Sequence, residues 1–372
     1  VAGEVIGFGA SLADGKRNVK SAFLELNVPI LRTLEAQLAM RADRYSDYGA
    51  SNTPKLGIKW KILPDVAFRS SYAKGFRAPS LTEISRSSVT AFTTVTDPKL
   101  CIVGDEPACL TNVAALLENA NRLEPETSTS RHAGVVWDIT RDAYVSFDAF
   151  DIRRKQEITV LSITDILDNE DATTGVYANR VIRGPALPGQ TVGPIQAVST
   201  FFFNSGGTQI KGYDVDGMWR FKIGDYGRLT ARASATYIKS LLSNSSDTDP
   251  LLDYASYGIP RTRATASLVW DRGSWNVAAT GNFTSGYNVL RTPGLTCSAA
   301  IRQSQPDCYV DPSTTTDLSL RWNGIKDLAL TLVARNVFNK KPVLDANARP
   351  LNFVFHPYQG TYYTVAATYR FK

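Results

Sequence analysis

Leu328-Ala329-Leu330-Thr331-Leu332-Val333-Ala334-Arg335 sets Leu, Leu, Leu and Ala on one side of an extended chain and Ala, Thr, Val and Arg on the other. That period of two is the mark of a β-strand with different surroundings on its two faces. The pattern recurs outward from there. Leu318, Leu320 and Trp322 alternate with Asp317, Ser319 and Arg321, and Tyr363, Val365, Ala367, Tyr369 and Phe371 alternate with Tyr362, Thr364, Ala366, Thr368 and Arg370. Leu229, Ala231, Ala233, Ala235 and Tyr237 oppose Thr230, Arg232, Ser234 and Thr236, while Tyr213, Val215, Trp219 and Phe221 oppose Asp214, Asp216 and Arg220. A water-soluble sandwich also alternates, but it studs its outer face with Lys and Glu and uses shorter strands. Here the polar face is small and mostly uncharged and the apolar face ends in aromatics, as in a strand with lipid on one side and water on the other.

The same signal marks about thirteen strands, near residues 17–28, 32–46, 53–62, 66–76, 127–139, 143–158, 208–222, 227–242, 260–271, 273–287, 314–323, 327–338 and 361–372. Tight links are expected at Pro29-Ile30-Leu31, Leu63-Pro64-Asp65, Thr140-Arg141-Asp142, Gly224-Asp225-Tyr226, Arg272-Gly273 and Gly324-Ile325-Lys326. The opposite edge carries long loops near 77–126, 160–207, 243–259, 288–313 and 339–360, with only Asp47 to Asn52 short. Short turns on one edge and long loops on the other are the asymmetry of an outer-membrane barrel, with the long loops outside the cell. The fold class expected is therefore all-β, an antiparallel transmembrane barrel. An odd strand number does not close a bacterial barrel, and the chain opens on Val1, so earlier strands are expected upstream.

Composition narrows function by exclusion. Of 372 residues, 41 are Lys or Arg and 35 Asp or Glu, and the excess of six positive charges is spread along the chain, unlike the basic stripe of a nucleic-acid binder. Two histidines, His132 and His356, leave little for a metal centre or a catalytic triad, and no catalytic residue, metal ligand or cofactor is expected. No P-loop occurs, and Gly7-Phe8-Gly9-Ala10 lacks a third glycine. The cysteines fall as two local pairs, Cys101/Cys109 and Cys297/Cys308, in Gly/Pro/Asp-rich stretches without zinc spacing. Two small loop disulfides in an oxidising compartment are favoured, with four free thiols as the alternative.

Several motifs together resemble the C-terminal part of the barrel of TonB-dependent outer-membrane receptors. Ser71-Tyr72-Ala73-Lys74-Gly75-Phe76-Arg77-Ala78-Pro79-Ser80 is similar to that family's Phe-Arg-Ala-Pro strand end. Ala22 to Pro29, Arg44 to Tyr48, Thr53 to Gly57, Leu123 to Ser128 and Arg335-Asn336-Val337-Phe338-Asn339-Lys340 follow in the family's order. The resemblance implies a barrel of 22 strands around an N-terminal plug, of which residues 1–372 are the C-terminal portion. It implies as partners the TonB energy-transducing complex, reached through a plug outside this chain, the barrel-assembly machinery, outer-membrane lipid and an imported ligand. That ligand would be large and scarce, of the ferric siderophore, cobalamin or glycan class. Thr364, Tyr369 and Phe371 resemble the signal read by the assembly machinery, with Ala366 where glycine is usual and Lys372 after the last aromatic.

Alternation sets Arg69, Arg232, Arg263, Arg321 and Arg370 with Asp214, Asp216 and Asp317 on the lumen or plug side. Plug docking along a hydrated passage and mutual pairing within the wall are the two readings of these charges. Phe201, Phe202, Phe203, Tyr254, Tyr257, Tyr287, Phe355, His356 and Tyr358 are the loop candidates for ligand contact, against a girdle or loop packing. Arg77 is expected to anchor the mouth. An energy-coupled importer is the favoured function; a passive porin and, behind it, a soluble β-rich adhesin or carbohydrate-binding module are the alternatives.

Overall fold

A computed structural model describes residues 11–12, 14–84, 88–100, 110–118, 123–175, 177–244, 250–290, 292–345 and 359–371. Its main sheet has thirteen strands in chain order, each antiparallel to the next: β1 (Val19–Leu31), β2 (Leu34–Tyr45), β3 (Gly49–Lys61), β4 (Val66–Arg77), β5 (Glu126–Thr140), β6 (Ala143–Lys155), β7 (Gly207–Lys222), β8 (Arg228–Ser243), β9 (Thr262–Arg272), β10 (Trp275–Thr284), β11 (Ser313–Ile325), β12 (Leu328–Arg335) and β13 (Tyr362–Tyr369). Leu252–Asp253 adds a short pairing to β8. Among the described residues, β1 and β13 each pair on one side only. This wall is the antiparallel, all-β partial barrel that the alternation implies.

The tight links sit close to their expected places, with two shifts. Pro29 lies inside β1, at a register shift between Pro29 and Leu31, and the turn is Arg32-Thr33. A proline has no N–H for the ladder, so an irregular point in a strand paired on one side accommodates it. β11 runs on through Gly324 to Ile325, and the turn is Lys326-Asp327, with Asp327 at φ 61°. Between β7 and β8, Gly227 stands at φ 100° where a Cβ would collide with the Asp271 carbonyl, so only glycine fits.

The long loops contain structure that alternation does not announce. Ile195–Asn204 runs parallel to Leu110–Glu118 and antiparallel to Ile158–Val160 and Val181–Arg183; Ser88–Thr96 completes the layer against Leu110–Glu118 and takes Ser11–Leu12 on its far side. Segments of two long loops, the one between β4 and β5 and the one between β6 and β7, thus share one mixed sheet with Ser11–Leu12 at the long-loop edge. Val113, Leu161, Ile166, Leu167, Ile195 and Val198 form its buried centre. Ser162 begins the helix Ile163–Asp168 there by accepting the Asp165 N–H, an ordinary N-cap. A second small cluster, Tyr287, Val289, Leu290, Cys308 and Val310, gathers where Tyr287–Asn288 pairs with Tyr309–Val310.

Candidate functional site

Register fixes which side chains share a face of the wall. Directly opposed residues point the same way, so the chain of pairs Glu35, Lys59, Arg69, Gly134, Asp148, Asp214, Thr236, Arg263 and Thr284 runs across one polar face from β2 to β10. Asp216, Arg232, Asp317 and Arg321 belong to this face by the same pleat, and Arg370 follows β13 in phase with it.

At the centre of the row, Arg69 reaches over Gly134 to Asp148, making bonds of 2.9 and 2.6 Å. Asp148 is almost fully buried and also lies 2.9 Å from His132 Nε2. Gly134 is the reason the pair can form: a Cβ there would strike the Asp148 carboxylate. The neighbouring acids are held too. Thr236 donates to Asp214 and the Tyr144 hydroxyl to Asp216, both at 2.6 Å; Asn282 and the Asn336 N–H reach Asp317 at 3.3 and 2.8 Å. The acids thus find partners within the wall. Arg232, Arg263 and Arg321 have no ion pair among the described residues. Both sequence readings of the polar face, pairing within the wall and charge left for another group, therefore have residues to match them.

Two family motifs prove to be braces at the long-loop edge. Arg77 grips Glu126 at 2.7 Å through two nitrogens and Glu83 at 3.1 Å. Glu83 in turn accepts the Ser80 N–H and Glu126 accepts the Ile158 N–H, so one guanidinium ties β4 and β5 to two loop starts. Asn336, buried and at φ 49°, accepts the Lys340 N–H and donates to the Lys340 and Gln359 carbonyls, while its own carbonyl accepts the Thr361 hydroxyl. It closes the chain between β12 and β13.

Phe201 and Phe203 pack against the mixed sheet's centre, with the Arg180 guanidinium 4.3 Å from the Phe201 ring; Phe202 points the other way. Tyr254 and Tyr257, half-exposed, line a hollow of about 390 Å³ with Arg154, Thr208 and Ile259. Tyr287 is fully buried and donates to Asp345 at 3.0 Å, so it offers no surface to a ligand; its aromatic body serves packing instead. Phe355, His356 and Tyr358 lie outside the described residues, as do Cys101 and Cys109. Cys297 and Cys308 are joined as a disulfide. Thr364 faces the polar side of β13, and Tyr369 stacks edge-on with Phe371 at 4.9 Å on the other.

The mixed sheet also holds a charge cluster that sequence reasoning missed. Arg183 bonds Asp97 at 2.7 and 2.9 Å and Glu170 at 2.6 and 2.7 Å, and donates to the Gly193 carbonyl. Burial would raise the Asp97 carboxyl, but bonds from Arg183 and the Lys99 N–H outweigh it and hold the group below the ordinary carboxylate range. Glu170 and then Asp97 hold the Arg183 proton more tightly than usual. Among the described residues no three His, Cys, Asp or Glu side chains gather as a metal-binding group. The site is one of surface and charge.

All six tryptophans, Trp60, Trp137, Trp219, Trp270, Trp275 and Trp322, lie on the apolar face within a few residues of the short turns. Trp137 and Trp270 donate their indole N–H to turn groups, Asp65 and the Tyr226 carbonyl. An apolar ring with its polar corner aimed at the turns is how an interfacial girdle behaves. The sequence model described as TonB dependent receptor-like, beta-barrel matches residues 3–337. The chain belongs to the TonB-dependent receptor family. The receptor is accordingly an outer-membrane β-barrel protein. It is 26% identical over 134 residues, 35% of this chain and 16% of the relative, to the probable TonB-dependent siderophore receptor PirA of Acinetobacter baumannii. Its fold is similar to the solved structures of A. baumannii PirA (TM-score 0.65, 16% identity, 97% of this chain and 47% of that one) and of the ferric enterobactin receptor PfeA of Pseudomonas aeruginosa (0.65, 16%, 95% and 45%). The copper transporter OprC is similar at TM-score 0.59 and 14% identity over 95% of this chain and 48% of that one. The chain spans less than half the length of these solved relatives.

Proposed function

We propose that this chain is the C-terminal barrel portion of an energy-coupled receptor that imports a ferric siderophore-type ligand across the outer membrane. The observation that carries the reading is the family match over the wall, together with a polar face whose Arg232, Arg263 and Arg321 have no ion pair among the described residues. Among the proteins it resembles, PirA is a siderophore receptor and PfeA a ferric enterobactin receptor by name. In this reading the polar face lines a hydrated lumen and its free arginines meet the plug and the passing ligand, both of which offer oxygen-rich, partly anionic surfaces. Phe202, Tyr254 and Tyr257 supply contact area at the mouth, and Thr364, Tyr369 and Phe371 present the closing strand to the assembly machinery. Energy enters through a plug gripped by the TonB complex; the wall itself performs no covalent chemistry.

The test is uptake of radio-iron by cells that carry the complete receptor and lack their other ferric siderophore receptors, supplied with hydroxamate, catecholate and carboxylate siderophores in turn. Accumulation of one class that stops when the TonB complex is deleted is the expected result. A steady ion conductance in planar bilayers, with uptake indifferent to TonB, would instead establish a passive channel.

A further inference from the structure

The apolar face of β4 to β8 ends abruptly toward the long loops. On each strand an apolar or aromatic position, Tyr72, Ala133, Ala149, Tyr213 and Tyr237, gives way one pleat later to a charge: Lys74, Arg131, Asp151, Lys211 and Lys239, with Phe76 and Leu242 returning beyond the charges on β4 and β8. Arg131, Asp151 and Lys211 are directly opposed neighbours in one row. Lys239 joins them through a bulge, because Gly212 pairs with Ile238 and Lys211 with Ser240, leaving Lys239 as the extra residue turned to the same side. One pleat further out stand Arg153 and then Lys155, both exposed. The single carboxylate among them, Asp151, accepts the Gln209 amide at 2.7 Å and lies 3.7 Å from Arg153. Arg131, Lys211 and Lys239 have no ion pair among the described residues.

Beneath these charges the same face is hollowed. A groove of about 490 Å³ is lined by Leu56, Ile58, Tyr72, Ala133, Ala149 and Tyr213, and its upper rim is Arg131, Lys211 and Lys239. Among the described residues the far half of the wall shows no such row: the outermost paired positions in the same phase on β9 to β13, Thr262, Phe283, Thr314, Ala334 and Tyr363, are uncharged. Cations on a lipid-facing surface just outside an aromatic belt lie at headgroup depth, and the long-loop edge is the outward one.

We propose that this patch is a binding site for a phosphate-bearing lipid of the outer leaflet, with an acyl chain in the groove and headgroup phosphate between Arg131, Lys211 and Lys239. Continuity with the lipid-facing side argues for a membrane component over a soluble partner, since the groove opens where acyl chains already lie. Complementarity argues for an anion, since six basic groups beside one engaged acid repel one another until a counter-charge arrives.

The complete receptor, purified in a non-ionic detergent, is incubated with lipid A, and retained lipid is read by native mass spectrometry. The variant combines Arg131→Gln, Lys211→Gln and Lys239→Gln. The control combines Lys20→Gln and Arg44→Gln, a basic pair at the same edge of the same face on β1 and β2, without the groove. Heat-modifiable gel mobility confirms that each variant is a folded barrel. The expected result is a loss of lipid A on the order of ten-fold or more in the triple variant, little change in the control, weak retention of phosphatidylcholine and no competition by millimolar inorganic phosphate. Equal loss in the control means diffuse adsorption and overturns the site. Undiminished retention by the folded triple variant, or equal retention of phosphatidylcholine, overturns the role of the charges. Competition by free phosphate overturns the lipid. If the triple variant fails to fold, Lys239→Gln alone, exposed at the bulge, carries the same comparison with a loss of several-fold, and its absence overturns the proposal.

Discussion

Replacing Arg183 by methionine should release the mixed loop sheet while sparing the wall. The guanidinium is 12% exposed, Asp97 is 3% and Glu170 12%, and every charged contact among them is 2.9 Å or shorter. Methionine keeps most of the volume and removes the cation, leaving two nearly buried carboxylates facing one another with Lys99, 3.6 Å from Glu170, as the cation still beside them. Breaking a buried pair in this way costs about 3–5 kcal/mol. Because Val181–Arg183 and Ile195–Asn204 belong to a small sheet with its own centre, the loss falls on local opening rather than on the whole barrel. At roughly 1.4 kcal/mol per ten-fold, amide exchange in Leu110–Glu118 and Ile195–Asn204 should quicken by about two to three orders of magnitude. Exchange in β7 and β8 should not change. Hydrogen exchange with mass spectrometry reads both in one experiment. Adding Asp97→Asn and Glu170→Gln to Arg183→Met should restore most of the protection, because it removes the unpaired charges as well. Unchanged exchange in the loop sheet of the single variant, or no recovery in the triple, would refute the argument that this cluster holds the loops together.

Acid should open the same sheet. Asp97 is held below its ordinary value, so its contribution is fully present above about pH 4 and is lost as pH falls through the depressed value, whereas Arg183 stays charged throughout; protease nicking of the loops should rise between roughly pH 4 and pH 2. Asn336→Ala leaves buried carbonyls and an N–H unpaired between β12 and β13, and should destabilise the closing hairpin by about 1–3 kcal/mol, seen as a lower unfolding temperature in detergent. Gly134→Ala places a methyl against the Asp148 carboxylate and should separate it from Arg69; a second substitution, Arg69→Ala, should then add little in thermal melts, and full additivity would contradict the coupling. Reducing Cys297–Cys308, which closes a separation of 11 residues, should loosen that loop by about 3 kcal/mol and expose it to protease without altering the wall.

The wall was legible because lipid and water impose opposite demands at every second residue, and that demand leaves a local record in the sequence. Strand ends were less so: Pro29 looked like a turn residue, yet a register shift in β1 absorbs it. The mixed sheet left no such record. Leu110–Glu118 and Ile195–Asn204 are joined by parallel pairing across more than seventy residues, so neither segment alone says what it will meet. For that reason the sequence left Phe201 and Phe203 open between ligand contact and loop packing; they pack, partly buried, against the mixed sheet's centre, and Tyr287 is fully buried. Arg69 was readable from alternation, but its partner Asp148 required knowing that Gly134 lies between them. The basic patch on β4 to β8 was within reach: the alternation that sorted the polar face also sorts Arg131, Lys211 and Lys239, had the other face been followed past its aromatics.

The confinement of all six indoles of this chain to one rim makes this stretch of wall its own ruler. Ultraviolet emission from these six indoles comes from a single narrow level of the bilayer, so lipids brominated at successive carbons would quench it with a sharp maximum and report how deeply this part of the wall sits. Events among the outer loops lie a full strand length away and would leave that emission almost untouched, so a spectral change on adding a ligand would mean that the rim facing the cell interior had itself moved.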